Sequence, residues 1–207
     1  MSINTNNYKN IIFDLGGVII NIDYTLLVKA FKKLGVENFD ELYSQAHQNK
    51  LFDLFEKGKI SAADFRNEIR KYCNKNLSDV QIDSAWNAML LDLPEERLKL
   101  LQALKKTHRT FLLSNTNEIH MLAINKYLQK MYGISDLSGY FEKMYLSFEV
   151  GMRKPDEEIF EFVLSENKLD PAETLFIEDS IQHIEAAKKL GIQIYWLQKN
   201  EAVTDLF

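Results

Sequence analysis

IIFDLGGV, residues 11–18, is the segment near the start of the chain that indicates the fold class most clearly. Its β-branched and aromatic residues predict a strand buried on both faces, with Asp14 at the carboxyl end. An aspartate there often caps the following turn through its side chain, and it is also available to a ligand. The two glycines after it permit a tight turn in which main-chain groups approach a ligand, without the spacing of a dinucleotide fingerprint.

Similar runs recur along the chain. They predict strands at Asn10–Leu15, Thr110–Ser114, Lys143–Phe148, Thr174–Glu178 and Ile192–Leu197. Helical patterns lie between them at Glu95–Lys106, Glu118–Met131, Asp156–Ser165 and Ile181–Leu190. Strands that alternate with helices favour parallel pairing through right-handed crossovers. The predicted fold class is therefore α/β, a doubly wound parallel sheet.

The stretch from about Ile22 to Leu91 differs, because it has no convincing strand. Its amphipathic helical patterns include Leu26–Leu34, Phe39–His47 and Ser61–Tyr72. Ser78–Gln81 resembles a capping box that opens a further helix. We expect a helical cap of residues 22–91, inserted after the first strand of a discontinuous core domain (1–21 and 92–207). It would cover the carboxyl edge of the sheet, where ligands bind in open α/β sheets.

Composition narrows the classes of function. The 207 residues are 46% hydrophobic, and the formal net charge is −5. We therefore do not expect the chain to bind nucleic acid or anionic lipid through a general excess of positive charge. The single cysteine, Cys73, excludes an intrachain disulfide and a cysteine metal site. No segment reaches the ~20 apolar residues that span a bilayer. We expect a cytoplasmic protein, by default a monomer, with no nucleic-acid or membrane partner.

Two polar segments suit an anion. Ser114 and Asn115 end the second predicted strand at a helix start, where free N–H groups and a hydroxyl match phosphate oxygens. Arg153 and Lys154 come directly before a helix N-terminus, an arrangement of cations and helix dipole that makes sense if an anion lies between them. Each segment also has an ordinary interpretation, a helix cap in the first case and a solvated surface pair in the second.

An acidic pair, Glu178 and Asp179, ends the fourth predicted strand. Adjacent carboxylates there repel each other and lose hydration, so they need a compensating cation. Hard oxygen ligands favour Mg²⁺, bound through a few carboxylates, a main-chain oxygen, water and substrate phosphate. Because the ends of parallel strands meet at one edge of the sheet, Asp14 should join this pair in a metal site, with Ser114 and Lys154 beside it.

Together these motifs resemble the haloacid dehalogenase superfamily of phosphatases, over nearly the whole chain. Its four motifs correspond to Phe13–Gly16, Ser114–Asn115, Lys154 and Glu178–Asp179. More narrowly, the chain is similar to the bacterial alpha-D-glucose-1-phosphate phosphatase-like group. That similarity rests on LSNTN at residues 113–117, GMRKP at 151–155 and FEKGKIS at 55–61.

The resemblance implies a Mg²⁺-dependent phosphatase in which Asp14 is the nucleophile and forms an aspartyl-phosphate. Four groups would hold the metal: Asp14, the main-chain oxygen of Gly16, Asp179, and Glu178 directly or through water. Catalytic Ser114 and Lys154 would bind the phosphoryl oxygens and stabilise their charge in the transition state, with Asn115 and Arg153 as further substrate contacts. The substrate would be a small phosphorylated metabolite, with glucose-1-phosphate or another hexose phosphate as the leading candidate.

One position departs from the superfamily's usual pattern. Most of its phosphatases carry a second aspartate two residues after the nucleophile as general acid and base, and here that position is Gly16. Such help is typically worth ~10²–10⁴ in rate. A glycine is also associated with the glucose-1-phosphatase-like group. Asp23 and His183 are candidate substitutes.

Other interpretations stay open. True 2-haloacid dehalogenases also lack the second aspartate, but they work without Mg²⁺, and the Glu178–Asp179 pair argues against them. Phosphonate cleavage needs an imine-forming cap lysine that the sequence does not single out. A receiver domain would carry its acidic pair after the first strand and have no helical insertion. A catalytically weakened binding or regulatory protein that senses a sugar phosphate is favoured only by the missing acid/base residue.

Overall fold

The computed structural model of the chain describes residues 3–4, 7–36, 39, 50–71, 73 and 76–207. Its centre is a sheet of strands β1 (Asn10–Phe13), β2 (Arg109–Ser114), β3 (Lys143–Leu146), β4 (Thr174–Glu178) and β5 (Gln193–Trp196). The strands lie in the order β3-β2-β1-β4-β5, and every pairing is parallel. The predicted doubly wound parallel α/β sheet is confirmed.

In the described residues, α-helices flank the sheet and also occur in the segment after β1. They are α1 (Tyr24–Lys33), α2 (Leu51–Glu56), α3 (Ala62–Lys71), α4 (Asp79–Trp86), α5 (Glu95–Leu104), α6 (Glu118–Tyr132), the single turn α7 (Ser147–Val150), α8 (Glu157–Asn167) and α9 (Ile181–Lys189). The four helices predicted between strands are confirmed, with ends that differ by no more than about two residues. In the described part of the chain no helix is long and apolar enough to cross a membrane.

The central strand β1 packs apolar side chains on both faces of the sheet. Ile11 and Phe13 join one buried cluster with residues of α5 and α6, while Ile12 joins another with residues of α8 and α9. This alternation follows from the period-two geometry of a strand, and it explains why β1 reads as a continuous hydrophobic run. The sheet thus holds the ends of β1, β2 and β4 at one edge.

Helices α1–α4 have a hydrophobic cluster of their own, which is rich in aromatic side chains. Phe52 stacks on Trp86 with ring centroids 5.3 Å apart, and Phe55 stacks on Phe65 at 4.3 Å. The capping box predicted at Ser78–Gln81 is confirmed. We call residues 22–91 the helical insertion; its boundaries as a domain stay a prediction. The helix predicted at 39–47 lies outside the described residues apart from Phe39.

The segments that enter and leave the insertion run side by side. The Asn21 N–H donates to the Asp92 carbonyl at 2.8 Å, and the Leu91 N–H donates to the Asn21 carbonyl at 3.0 Å. An isolated antiparallel bridge joins Ile22 to Leu90. The insertion is therefore connected to the sheet through one narrow pair of chain segments.

Three predicted strands were too long, and the last was wrongly predicted to be buried on both faces. β1 ends at Phe13, and β3 ends at Leu146 because the chain turns into α7 at Ser147. β5 pairs only with β4, so it is an edge strand, and its end residues Gln193 and Trp196 are exposed. Apolar content alone does not separate an edge strand from a central one.

Candidate active site

The carboxyl ends of β1, β2 and β4 open onto a cavity of about 380 Å³. Its walls come from both the sheet edge and the helical insertion. They include most of the residues singled out in the sequence, namely Asp14, Gly16, Ser114, Asn115, Arg153, Glu178, Asp179 and His183. The volume falls within the range of small-molecule sites in proteins.

Lys154 is fully buried beside this cavity and lies between two carboxylates. Its Nζ is 2.7 Å from Oδ1 of Asp14 and 2.6 Å from Oε2 of Glu178. Burial opposes the charged ammonium, but the two carboxylates outweigh it and raise the pKa of Lys154. Burial also acts against ionised Glu178, yet Lys154 and His183 hold the pKa of that carboxyl below its usual range. Lys154 and Glu178 form a buried ion pair.

Asp14, Glu178 and Asp179 bring carboxylate oxygens within 4.8 Å of one another. Burial, with the charge of Glu178, raises the pKa of Asp14 to about 6 against the pull of Lys154. Loss of hydration and the charge of Asp14 raise the pKa of Asp179 to about 7. The neighbouring Glu178 carboxylate adds to this rise in the pKa of Asp179. The three oxygens fit a hard divalent cation, and a cation would relieve this repulsion.

Gly17 allows Asp179 to approach the turn after β1. It has φ +77°, and a Cβ built there would lie 2.2 Å from Oδ2 of Asp179. Any side chain at this position would both strain the backbone and push the carboxylate away. The second glycine of the opening motif therefore lets the Asp179 carboxylate join the cluster of Asp14, Glu178 and Asp179.

The Ser114 side chain is buried at the end of β2, and among the described residues its hydroxyl has a weak contact, 3.5 Å from the Asn115 carbonyl. Asn115 is used differently: its Nδ2 donates to the Lys154 carbonyl at 2.8 Å, and its Oδ1 accepts from the Lys154 N–H at 2.9 Å. This reciprocal pair positions Lys154. A contact from Asn115 to substrate stays a prediction.

Arg153 faces the helical insertion. Its guanidinium is 2.7 Å from Oδ1 of Asp53 and 2.8 Å from Oε2 of Glu56, both on α2. Arg153 and Glu56 line the cavity, whereas Asp53 does not. The predicted contact of Arg153 with substrate also stays a prediction, since Asp53 and Glu56 of the protein itself pair with its guanidinium.

The two candidate substitutes for the missing acid/base residue differ in position. The Asp23 carboxylate caps α1 by accepting from the Thr25 N–H at 2.8 Å, and it is absent from the cavity walls. His183 lines the cavity with its Nδ1 2.9 Å from Oε2 of Glu178. At Gly16 itself, an added Cβ would lie 3.2 Å from Cδ1 of Ile22, so this isoleucine crowds the usual position of the aspartate.

Glu56 and His120 line the cavity and were missed as site residues in the sequence. Glu56 lies in the FEKGKIS stretch, which was noted only for its resemblance. His120 stacks on Trp86 with centroids 5.1 Å apart, and its Nδ1 is 2.9 Å from Oδ1 of Asn87. Burial lowers the pKa of His120 to about 3, so the imidazole is neutral. No sequence signal marked either residue, because both reach the site through packing of the insertion.

These features define a hydrolase of a known class, and comparison with known proteins agrees. The profile of the haloacid dehalogenase-like hydrolases matches residues 11–197, and the chain belongs to this family. D-ribitol-5-phosphate phosphatase of Bacteroides thetaiotaomicron is 35% identical to it over 187 residues, which is 90% of each chain. The predicted membership of the haloacid dehalogenase superfamily is confirmed.

Solved structures show the same relationship. A haloacid dehalogenase family enzyme from Bacteroides thetaiotaomicron, in complex with magnesium and inorganic phosphate, superimposes with a TM-score of 0.86 and 41% identity. The match covers 97% of this chain and 99% of that one. A predicted hydrolase of the same family from Porphyromonas gingivalis gives a TM-score of 0.85 at 31% identity, over 94% of this chain and 93% of that one. The narrower resemblance to glucose-1-phosphate phosphatases stays a prediction.

Proposed function

We propose that this chain is a magnesium-dependent phosphoric monoester hydrolase that acts on a small polyol or sugar phosphate. The observation that carries the proposal is the charge arrangement on the cavity floor. Asp14, Glu178 and Asp179 present three carboxylates, and Lys154 supplies one buried cation. Two negative charges are left without compensation, which suits a divalent metal ion. The magnesium complex of a 41% identical enzyme supports the choice of Mg²⁺.

Asp14 is the proposed nucleophile. When bound by Asp14, Asp179, the Gly16 main-chain oxygen and Glu178, Mg²⁺ supplies positive charge next to the phosphoryl group. A carboxylate oxygen of Asp14 attacks phosphorus while the bond to the ester oxygen breaks, which leaves an aspartyl-phosphate that water then hydrolyses. Lys154 fixes the attacking carboxylate through its 2.7 Å contact with Oδ1. This placement favours attack without reorientation.

Phosphoryl oxygens are proposed to bind opposite this carboxylate. Ser114 lines the cavity, and among the described residues its hydroxyl has a long 3.5 Å contact with the Asn115 carbonyl, so it can donate to the substrate. Lys154 adds positive charge and is itself positioned by the Asn115 amide. Donors aimed at developing charge in a site with little water stabilise the transition state strongly.

The substrate class follows from the cavity and from the relatives. A volume of about 380 Å³ leaves room beyond the phosphate for a short carbon chain. Its walls mix apolar residues such as Ile22 and Met89 with the polar Glu56, His120 and Arg153, which suits a hydroxylated chain. The relative named for D-ribitol-5-phosphate makes a pentitol or pentose phosphate our first candidate, with the hexose phosphates next.

The helical insertion is proposed to act as a cap that selects this substrate and excludes water. The narrow connection at Asn21 and Leu91–Asp92 is suited to a hinge. For the protein as a whole we propose a monomer in the cytoplasm, consistent with a single cysteine. Its net charge of −5 fits a partner that is a metabolite and not a nucleic acid or an anionic membrane.

Phosphate release from a panel of pentitol, pentose and hexose phosphates tests the proposal. We expect turnover with Mg²⁺, its loss with a chelator, and its loss in Asp14→Asn, because the amide cannot accept the phosphoryl group. Lys189→Met, which removes an exposed cation paired with Glu157, is the matched control and should keep wild-type activity. Unchanged activity in Asp14→Asn would overturn the nucleophile. Chloride release from a haloacid without metal would identify a dehalogenase, and a chain that binds the esters without hydrolysis would be a sensor.

A further inference from the structure

Hydrolysis of an alkyl phosphate needs a proton donor, because the departing alkoxide is a strong base. Gly16 offers none in the position where most relatives of the superfamily have an aspartate. Ile22 occupies the neighbouring space, with its Cδ1 3.2 Å from the point where a Cβ of residue 16 would lie. The donor must therefore come from another wall of the cavity.

Glu56 is the one carboxylic acid on the described walls that lies outside the Asp14–Glu178–Asp179 cluster. It is the last residue of α2 in the helical insertion, and it lines the same cavity as the carboxylates of the sheet edge. Its side chain is 22% exposed, so it is mostly shielded but still open to the cavity. Because Glu56 belongs to the insertion and not to the sheet edge, it is separate from the carboxylates that are proposed to act on the phosphate.

The charges around Glu56 allow it to hold a proton. Arg153 is shared between Glu56 and Asp53, at 2.8 Å and 2.7 Å, so one cation faces two carboxylates. Burial raises the pKa of the Glu56 carboxyl; Asp53 adds to this, while Arg153 and His183 act against it, and the net direction is upward. The Glu56 carboxyl therefore keeps its proton to a higher pH than an ordinary glutamate does.

Two contacts anchor the end of α2 on the core. Lys57 Nζ is 2.7 Å from Oδ2 of Asp156. Gly58 has φ +61° and passes so close to the Phe148 carbonyl that an added Cβ would lie 2.2 Å from its oxygen. Together with the Arg153 pairs, these contacts hold Glu56 at the cavity when the insertion is seated.

We propose that Glu56, carried by the helical insertion, is the general acid and base of the reaction, which rests on the proposed phosphatase function. When Asp14 attacks phosphorus and the ester P–O bond breaks, the Glu56 carboxyl gives its proton to the leaving oxygen. When water attacks the aspartyl-phosphate, the Glu56 carboxylate takes a proton from it. The P–O bond to Asp14 then breaks, and the alcohol, inorganic phosphate and the starting enzyme are formed.

The test compares substrates whose leaving groups differ in basicity. The leaving group of ribitol 5-phosphate is an alkoxide, which needs the proton. The leaving group of para-nitrophenyl phosphate is a stable phenolate, which does not. In Glu56→Gln we expect kcat for the alkyl ester to fall by ~10²–10⁴ and kcat for the aryl ester by less than about tenfold. The aryl activity of the same sample reports that the variant is folded and binds metal.

Asp53→Asn is the matched control. It removes the charge of the other carboxylate that pairs with Arg153, and Asp53 does not line the cavity. It should keep the preference between the two esters. Removal of the Asp53 charge also lowers the pKa of Glu56, so the alkaline limb of the alkyl-ester pH profile should move to lower pH.

Three results would overturn the role of Glu56. They are an equal loss on both esters in Glu56→Gln, a raised KM with unchanged kcat, and the same loss in Asp53→Asn as in Glu56→Gln. The first and third results would mean that Glu56 only holds the insertion in place through Arg153. The second would mean that Glu56 only binds a hydroxyl group of the substrate. Absence of phosphate release by the wild-type enzyme on any ester would instead refute the phosphatase function itself.

Discussion

Lys154 Nζ lies 2.7 Å from Oδ1 of Asp14, across 140 positions of sequence. The same nitrogen is 2.6 Å from Glu178, and neither the lysine nor Glu178 is accessible to solvent. A buried cation between two carboxylates holds the proposed nucleophile in place. Together with Asp179, the cluster has three carboxylates and one ammonium, so its net charge is −2 when all of these groups are ionised.

Lys154→Met should abolish hydrolysis and destabilise the metal-free protein by about 3–5 kcal/mol, because two buried carboxylates lose their partner. Mg²⁺ should recover part of that loss, since it replaces the missing positive charge. Denaturant unfolding at neutral pH, with and without Mg²⁺, measures both effects. Lys189→Met, which removes an exposed pair with Glu157, should cost less than about 1 kcal/mol. A similar small cost for Lys154→Met would show that the buried pair is not formed in solution.

Metal binding should stabilise the protein more as the pH rises. The carboxyl pKa values of Asp14 and Asp179 are raised from 3.8 to about 6 and about 7. In that window the folded chain binds more protons than the unfolded chain, so the metal-free protein loses stability between about pH 4 and pH 7. The depressed pKa of Glu178 has the opposite effect, which falls below this window.

Mg²⁺ competes with the protons on Asp14 and Asp179, so its stabilising effect should grow through the same range and level off above about pH 7–8. Thermal unfolding in chelator and in excess Mg²⁺, at several pH values, gives the difference directly. A metal effect of equal size at about pH 5 and about pH 8 would contradict the raised pKa values.

Gly17→Ala should destroy the metal site, whereas Gly133→Ala should not. Both glycines have positive φ, +77° and +70°, so each alanine costs about 1–2 kcal/mol in backbone strain. A Cβ at residue 17 would lie 2.2 Å from Oδ2 of Asp179, whereas no atom of the described residues lies within 4 Å of a Cβ at residue 133. Thermal unfolding should show a loss of stability in both variants, and only Gly17→Ala should lose turnover and stabilisation by Mg²⁺. Retained Mg²⁺ stabilisation in Gly17→Ala would show that Asp179 is not needed for the metal.

The parts of the site that strands position could be predicted from the sequence. Asp14, Ser114 and Glu178 each follow a hydrophobic run, and parallel pairing brings the ends of such runs to one edge. The spacing along the chain is irrelevant to this, because the sheet order sets the distance. A pattern of strand, polar residue and helix is therefore sufficient to expect a cluster of carboxylates and cations.

Residues that reach the site by packing could not be predicted in this way. Glu56 is at the cavity because α2 rests on Phe148 and Arg153, and His120 is there because it stacks on Trp86. These contacts depend on how the insertion docks, which the hydrophobic pattern of its helices does not specify. The edge position of β5 was missed for a related reason, since strand order is set by the crossovers and not by composition.

Gly16→Asp should destabilise the protein less when Ile22 is also replaced by the shorter valine. In Gly16→Asp the new Cβ lies 3.2 Å from Cδ1 of Ile22, and overpacking of this kind costs about 1–3 kcal/mol. Ile22→Val removes that atom and leaves Cγ2 at an ordinary 3.8 Å. The double variant Gly16→Asp/Ile22→Val should therefore be more stable than Gly16→Asp alone, as thermal unfolding would show.

The same two substitutions can be combined with Glu56→Gln. On ribitol 5-phosphate the triple variant should have a kcat at least about tenfold above that of Glu56→Gln, because Asp at position 16 supplies a new proton donor. Ile22→Val with Glu56→Gln is the control, and it should restore nothing. The aryl ester should respond little in either case, since its leaving group needs no proton. If the triple variant folds and binds Mg²⁺ but leaves the alkyl-ester kcat unchanged, proton donation is not what Glu56→Gln removed.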